Sequence, residues 1–596
     1  GESFKFEIKW KYNINDYIKY GGRSGYEPFE DANNIYVIAQ WFPRMAVYND
    51  REGWQTSQFL GAGEFALVFG DYDVKITVPA DHLVGATGEL QNPTSVLSST
   101  QRKRLNKARN TFDKPVVIQT QEEAEKAEKS RSKASKTWHF KAKNVRDFAF
   151  SSSRKFIWDA MAVKLENKTV MAVSYYPKEG NPLWEKYSTR AVAHTLKTYS
   201  KYTFDYPYHK AISVNAKDQG MEYPMICWNF GRPEYDGTYP EWVKYGMIKV
   251  IIHEVGHNYF PMIINSDERK YAWMDEGLNS YLEFVAEQEW EEDFPVNRGH
   301  ATTIVPFMKA DATNKATMMT RSDYARDYYK NNYDKPATAL NILRETVMGR
   351  ELFDFAFKEY ANRWKFKHPT PADFFRTMED ASGEDLGWFW RGWFYSNKNL
   401  DLELVSVKEI QVNNQNPEEQ NEFRRSQEVS QNITTLNNRK AGIKTYVEKD
   451  TAALDFYNSY DKYAVTEYDR NAYEYMTTQT EEGEQRAMND SNYFYELKIK
   501  NNGELIMPVL LSFIFEDGSE LDEKLPAQIW RYNQKEFTKV FYFDKKLKSV
   551  EIDKYQETSD INTENNSWPV KVTKSRFEVY KQRMRPYSNK MQEAAD

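Results

Sequence analysis

At 596 residues the chain is too long for one core, and the usual domain size divides it into roughly three to four units. Apolar residues reach 40% and aromatics 15%, with 41 Tyr, at a mean hydropathy of −0.80; this excludes wholesale disorder and fits β-rich modules with polar outer faces. Net charge is −7, from 81 basic and 88 acidic residues mixed along the chain, so no basic stripe marks a nucleic-acid partner, and the single cysteine, Cys227, excludes an intrachain disulfide and a cysteine zinc cluster.

The first 120 residues read as β. FKFEIKWKYNI (4–14) alternates strongly, NIYVIAQWF (34–42) follows, and FALVFGDYDVKITVPA (65–80) is an alternating pair around Gly70 and Asp71. The opening GESFKFEIKW lacks the basic start and apolar core of a signal peptide and reads as a strand already in progress, which predicts a processed or truncated chain. Residues 121–136 (QEEAEKAEKSRSKASK) form a charged stretch, either a solvated helix or a mobile excursion. Strand patterning returns in WHFKAKNVRDFAFSSS and KFIWDAMAV.

Near residue 166 the pattern changes. KTVMAVSYY is a strand, WEKYSTRAVAHTLKTYSKYT has helical periodicity, and KAISVNA through MEYPMICWNF is strand-like. Helices then dominate to about 396, where the aromatic run DLGWFWRGWFYS ends the unit. From 401 strands resume in DLELVSVKEIQV, YFYELKIKNN, VLLSFIFEDGSE and FTKVFYFDKKLKSVEI. The polar tract NNQNPEEQNEFRRSQEVSQ between the first two cannot bury much and reads as a long loop. The expected fold is a multidomain α+β chain: an antiparallel β domain over 1–165, an α+β unit over 166–400, and a β-sandwich-like unit from 401 to about 575 with a short basic tail to 596. The longest apolar runs, such as MPVLLSFIF (507–515), are too short to span a bilayer.

Chemistry concentrates in His253-Glu254-Val255-Gly256-His257. Histidines at i and i+4 share one helix face, so both imidazoles reach one ion, while Glu254 is placed to contact a metal-bound water. Pro240 suits a first-turn position, WVKYGMIKVII supplies apolar periodicity, and Pro261 is expected to stop the helix after Phe260. In WMDEGLNSYLEF (273–284), Asp275 and Glu276 open a second helix, and eighteen residues separate His257 from Glu276. Two antiparallel helices joined by such a loop return Glu276 to the histidines. Three protein ligands leave a fourth position open, the mark of a catalytic zinc site.

HEVGHNYF, the eighteen-residue gap and WMDEG resemble the gluzincin aminopeptidases of the membrane alanyl aminopeptidase family, which includes leukotriene hydrolase. The thermolysin family uses the same ligand set with a different spacing. The resemblance implies a truncated N-terminal β domain over 1–165, a thermolysin-like catalytic domain over 166–400 and a β-sandwich after it, with no helical C-terminal domain evident. It implies one zinc ion per chain held by His253, His257 and Glu276, with Glu254 as general base. The family's G-x-M-E-N strand is matched by Gly220-Met221-Glu222-Tyr223-Pro224, with Glu222 31 positions before His253. That implies Glu222 as anchor of a substrate's free α-amino group, beside Gly220 and Met221. A Y-x-K-G-like segment is matched by Tyr333-Asp334-Lys335-Pro336, which implies Tyr333 as hydrogen-bond donor to the oxyanion, with Tyr324, Tyr328 and Tyr329 nearby. Gln40 is either a polar lining residue of the substrate site or an ordinary strand glutamine. Asp275 either orients a ligand or caps a helix. Tyr223 and Pro336, where the motifs depart from the family, are where the substrate pocket is expected to differ.

The implied activity is removal of N-terminal residues from peptides with a free amino terminus. A metallo-endopeptidase, an epoxide hydrolase and a non-catalytic peptide-binding protein stand as alternatives on the same ligands. Family analogy favours a periplasmic, secreted or surface location. Sequons occur at Asn167, Asn432 and Asn565. Oligomeric state and the preferred N-terminal residue are not legible.

Overall fold

The computed structural model describes residues 3–61, 63–64, 66–310, 315–410, 412–428, 431–571, 591 and 594. Its centre is a mixed six-stranded sheet built from β1 (Val116–Gln119), β2 (Ile157–Lys164), β3 (Thr169–Tyr176), β4 (Lys210–Asn215), β5 (Gly220–Tyr223) and β6 (Ile226–Asn229). The spatial order is β5-β6-β4-β3-β2-β1. β3, β4 and β6 run parallel, and β5 returns antiparallel beside β6 with Glu222 opposite Cys227, leaving β5 at the sheet edge. The parallel step from β3 to β4 needs a long crossover, supplied by α1 (Leu183–Tyr202). β2 and β3 are buried along nearly their whole length, matching the continuous apolar runs of a covered sheet. The sheet passes through residue 165: β2 pairs with β3 of the zinc-ligand unit, and β1 pairs with β2 at the far edge.

Helices α1 and α2 (Glu241–Gly256) pack on this sheet, α3 (Leu278–Trp290) packs on both of them, and α4 (Lys335–Ile342) packs on α3. α2 is buried on most of its circumference (Val243, Met247, Ile248, Ile251, Ile252, Val255), as expected of a helix without a wide polar face. Pro240 is its N-cap residue. Helical geometry ends at His257 rather than at Phe260. The cause is Asn258, whose amide donates back to the Val255 carbonyl at 3.1 Å and whose oxygen accepts from the Met225 N–H at 2.8 Å, turning the chain before Pro261 is reached.

The N-terminal part is antiparallel β. A four-stranded sheet contains Ile35–Ile38, Phe150–Ser153 and Leu83–Ala86, and a second sheet pairs Gly70–Pro79 with Ser135–Val145. Two expectations are corrected here. Residues 4–14 join no ladder: Phe4, Phe6, Ile8, Trp10, Tyr12 and Ile14 are all exposed. Alternation makes a segment strand-competent, but a strand exists only with a backbone partner, and among the described residues no strand pairs with it. In 66–80 the strand is confined to Gly70–Pro79. The charged stretch forms a helix, Gln121–Ser130, started by a capping box between Thr120 and Glu123.

The last part is a sandwich. One sheet contains Leu402–Ile410, Tyr493–Asn501 and Glu536–Phe543; the other contains Glu520–Leu525, Val509–Phe515, Leu547–Ile552 and Ser567–Trp568. Phe513 meets Phe541 and Phe543 across the interface, with ring centroids 5.0 and 4.9 Å apart. The polar tract expected as a loop is instead helical over Pro417–Gln427, and Ile433–Lys440 and Glu467–Gln479 follow as helices. Caps at Asn416, Asn432 and Thr466 satisfy their first N–H groups locally, so they form while burying no side chain. The basic tail lies largely outside the described residues. No described helix is long and apolar enough to cross a membrane.

Candidate metal centre and active-site cleft

Three buried side chains converge above the sheet. His253 Nε2 and His257 Nε2 are 3.0 Å apart, and Glu276 Oε2 lies 3.2 Å from the first and 3.3 Å from the second. Tetrahedral zinc with bonds of about 2.05 Å separates its ligand atoms by roughly 3.3 Å, so the triangle has the size of a zinc site. The tautomers agree. His253 Nδ1 is 2.8 Å from Glu283 Oε2, and His257 Nδ1 is 2.9 Å from the Phe260 carbonyl and 3.0 Å from Asp275 Oδ1. Those oxygens only accept, so each Nδ1 carries the hydrogen and each Nε2 turns a lone pair toward the other and toward a carboxylate. Such an arrangement calls for a cation. With protons as the only cations available, burial opposes charge on His253 but Glu283 and Glu276 outweigh it, raising the imidazole to about 9. Glu276 is held well below the carboxylate range, because the two histidines overcome its own burial. The chain is therefore fitted to hold one zinc ion.

Glycines let the elements approach. A Cβ at Gly256 would run into the Tyr199 hydroxyl of α1 and the Asn279 amide of α3. Asn279 in turn donates to the His253 carbonyl at 2.9 Å, tying α3 to the ligand helix. Glu276 sits in a π-type turn, Trp273–Gly277, that opens α3, and Tyr333 sits in a second one, Lys330–Asp334, that opens α4. The two turns touch: a Cβ at Gly277 would meet Pro336 and the Asn332 carbonyl. Asp275 lies inside its turn, so it is no cap, and it contacts His257 instead.

Glu254 projects beside the triangle into a cleft of about 750 Å³ that also exposes His253, Glu276, Gly220 and Tyr333. Burial pushes its carboxyl up to about 8, against the pull of His253. A Cβ at Gly220 would stand 3.1 Å from Glu254 Oε1, so this glycine keeps the edge strand close to the carboxylate. Alternation along β5 puts Gly220 and Glu222 on one face and Met221 in the core, 1% exposed; Gly220 lines the cleft and Glu222 the small cavity beside it. Glu222 clusters with Glu254 and His257, oxygen and nitrogen atoms lying within 4.8 Å of one another. Its nearest cation is Arg23, at 3.6 Å, which also pairs with Glu64. The Tyr333 ring stacks on His253 at 5.7 Å, and its hydroxyl pKa is raised by burial and by the Glu276 carboxylate beside it. Tyr328 and Tyr329 share the cleft, whereas Tyr324 lies outside it.

Three sequence expectations land elsewhere. Gln40 is exposed, its N–H donating to the Tyr223 hydroxyl at 3.0 Å, and it borders a small cavity behind Glu222 rather than the cleft. Tyr223 and Pro336 contribute no wall to the cleft. Tyr223 packs toward the N-terminal domain and Pro336 packs on Gly277, so both departures answer packing demands. Sequence reasoning also missed residues. Glu283 follows Glu276 by two helical turns on α3, a spacing that was readable. Arg298, whose guanidinium lies 5.3 Å over the Tyr333 ring, donates to Ser280 at 2.9 Å and faces Glu283 at 3.5 Å. Arg298, Arg23 and Glu64 come from loops with no motif to flag them.

A mixed sheet, two ligand-bearing helices and a buried His-His-Glu triangle beside a free glutamate define a zinc metallopeptidase fold and site. Residues 187–393 match the peptidase family M1 domain, and in this stretch the chain resembles the zinc aminopeptidases of that family. Aminopeptidase 2 of Candida albicans is 22% identical over 262 residues, covering 40% of this chain and 27% of that protein. Glutamyl aminopeptidase of Sus scrofa is 25% identical over 142 residues, covering 22% of this chain and 15% of that protein. Among solved structures, Legionella pneumophila aminopeptidase A in complex with aspartic acid superposes with a TM-score of 0.52 at 13% identity, over 93% of this chain and 49% of that one. The matches to the curated relatives thus span about a quarter of their length or less, and the chain spans about half of the Legionella protein.

Proposed function

We propose that the protein is a zinc aminopeptidase that hydrolyses the first peptide bond of peptides with a free amino terminus. The observation that carries the reading is the 3.0–3.3 Å triangle of His253, His257 and Glu276 with Glu254 beside it and Glu222 on the adjoining edge strand. Zinc held in the triangle supplies Lewis acidity toward a scissile carbonyl and a water. Glu254 takes the proton of the attacking water and passes it to the leaving amine. Its raised pKa belongs to a site without a second cation, and a cation in the triangle draws it back toward the carboxylate range. Tyr333, oriented by Arg298 and stacked on His253, donates its hydroxyl hydrogen to the developing oxyanion. Glu222 pairs with the substrate ammonium and so fixes its distance from the bond that breaks.

The Arg23–Glu222 contact favours a second reading. A guanidinium already neutralising Glu222 leaves less charge for an ammonium, and without an amine anchor the same machinery is an endopeptidase. Kinetics on paired peptides, free and N-acetylated, separate the two. An aminopeptidase cleaves only the free member and stops when zinc is chelated; equal cleavage of both sinks the amine-anchor reading, and chelator-insensitive cleavage sinks the zinc mechanism.

A further inference from the structure

The active-site cleft does not end at the zinc ligands. Along α2, Trp242, Gly246, Val250 and His253 recur at i, i+4, i+8 and i+11, one continuous face of the helix. Gly246, Val250 and His253 line the zinc-facing cleft. Trp242 lines a second cavity of about 940 Å³, with Tyr235, Lys217 and Gly231. Phe230 borders both, so the two hollows adjoin at its ring. We propose that this second cavity is a distal groove for the downstream residues of an extended peptide substrate, with Trp242 and Tyr235 as its aromatic contacts. This deepens the aminopeptidase reading and rests on it.

Three observations converge on that occupant. Trp242 and Tyr235 are exposed by 60% and 108%, in a chain that buries many of its other large aromatics completely. Exposed aromatics grouped at a concave site are recognition surfaces, offering large rigid contact area to a partner. Gly246 is the second. Glycine inside a helix costs about 1 kcal/mol relative to alanine, yet a Cβ here would meet only the Phe230 ring at 3.8 Å, an ordinary contact. Packing does not require glycine at this point; its effect is to keep the helix face low between Trp242 and Val250, where the groove passes. The third is direction. From Gly220, which lines the zinc-facing cleft, back to Lys217 the chain leads to the second cavity, and β5 offers the backbone groups of a sheet edge at the start of that path.

The geometry also sets a length. Eleven residues of helix at about 1.5 Å each put Trp242 roughly 16 Å from His253. An extended peptide advances about 3.3 Å per residue, so Trp242 meets about the fifth residue beyond the scissile bond. Peptides of two or three residues stop short of it.

The test is direct binding of a tripeptide and a heptapeptide with the same first three residues to zinc-loaded Glu254→Gln protein, alone and combined with Trp242→Ala or Tyr235→Ala. The parent is expected to bind the heptapeptide about tenfold more tightly than the tripeptide, and each added substitution to bring that ratio toward one. Equal affinity for both peptides in the parent, a ratio unmoved by Trp242→Ala, or no heptapeptide binding overturns the groove. Wild-type enzyme that binds peptides but releases no amino acid would instead overturn the aminopeptidase reading and leave the binding ratio interpretable.

Discussion

Glu254 and Glu283 show how burial and partner choice divide work between carboxylates a few ångströms apart. Glu254 is buried beside the histidines with one oxygen lacking a hydrogen-bond partner, the condition of a group kept for a proton in transit. Replacing it with Gln preserves shape and removes basicity, so Glu254→Gln is expected to keep stoichiometric zinc by metal analysis while kcat falls about 10²–10⁴-fold. Glu283 instead accepts from His253 Nδ1, and Arg298 and Lys249 hold its charge. Glu283→Ala is expected to weaken zinc binding roughly 10–100-fold in a competition titration with a chromogenic chelator. Away from the site, His82 is buried against Ser152, with a ring nitrogen 2.8 Å from the hydroxyl, and burial together with Arg154 lowers its pKa from 6.5 to about 4. The unfolded chain therefore binds this proton more readily than the folded one. The associated stability is complete above pH 6.5 and is lost at about 1.4 kcal/mol per pH unit as pH falls toward 4. Urea midpoints between pH 7 and 5 should decline less steeply in His82→Asn than in the wild type.

At the scale of elements, the site is made by three helices forced close. α1, α2 and α3 meet at Gly256, where the Tyr199 hydroxyl donates to Asn279 Oδ1 at 2.9 Å. Added volume there must part the helices or break that hydrogen bond. Gly256→Ala is expected to destabilise by about 1–3 kcal/mol in denaturant unfolding and, by shifting His257, to lower zinc occupancy as well. A variant as stable and as fully zinc-loaded as the wild type would show that the contact is not what positions the helices. The π-type turns belong to this scale too. Each wide turn sets one functional residue, Glu276 or Tyr333, where the next helix begins, and the turns pack on each other through Gly277 and Pro336.

At the scale of the molecule, the sandwich carries an excursion that the rest of the fold does not need. Ile410 and Phe494 are cross-strand partners, yet more than eighty residues separate them in sequence. No described residue between 412 and 492 is buried, and every hydrogen bond and ion pair described for the side chains of 413–489 stays inside the segment. Replacing 413–490 with a short Asn-Gly hairpin turn should leave the thermal midpoint within a few degrees and peptidase turnover unchanged; a collapse of either would reveal a contact role for these helices. This excursion also shows where sequence reading stops. Its polarity correctly announced that it buries nothing, but caps at Asn416, Asn432 and Thr466 made helices of what composition described as loop. Residues 4–14 fail in the opposite sense: their alternation is complete, and a ladder needs a partner that no local pattern can supply. What the sequence alone determined is the chemistry that one helical turn can encode, the i, i+4 histidines with Glu254 between them, and the later Glu276 that the spacing brought within reach. Only the tertiary structure decided that Glu283 and Arg298 orient that chemistry, that Arg23 faces Glu222, that Gln40 and Met221 turn away from the cleft, and that a second hollow lined by Trp242 adjoins the cleft at Phe230. Spacing within a helix fixes neighbours about one turn apart, whereas contacts between loops and distant strands depend on how the whole chain closes its core.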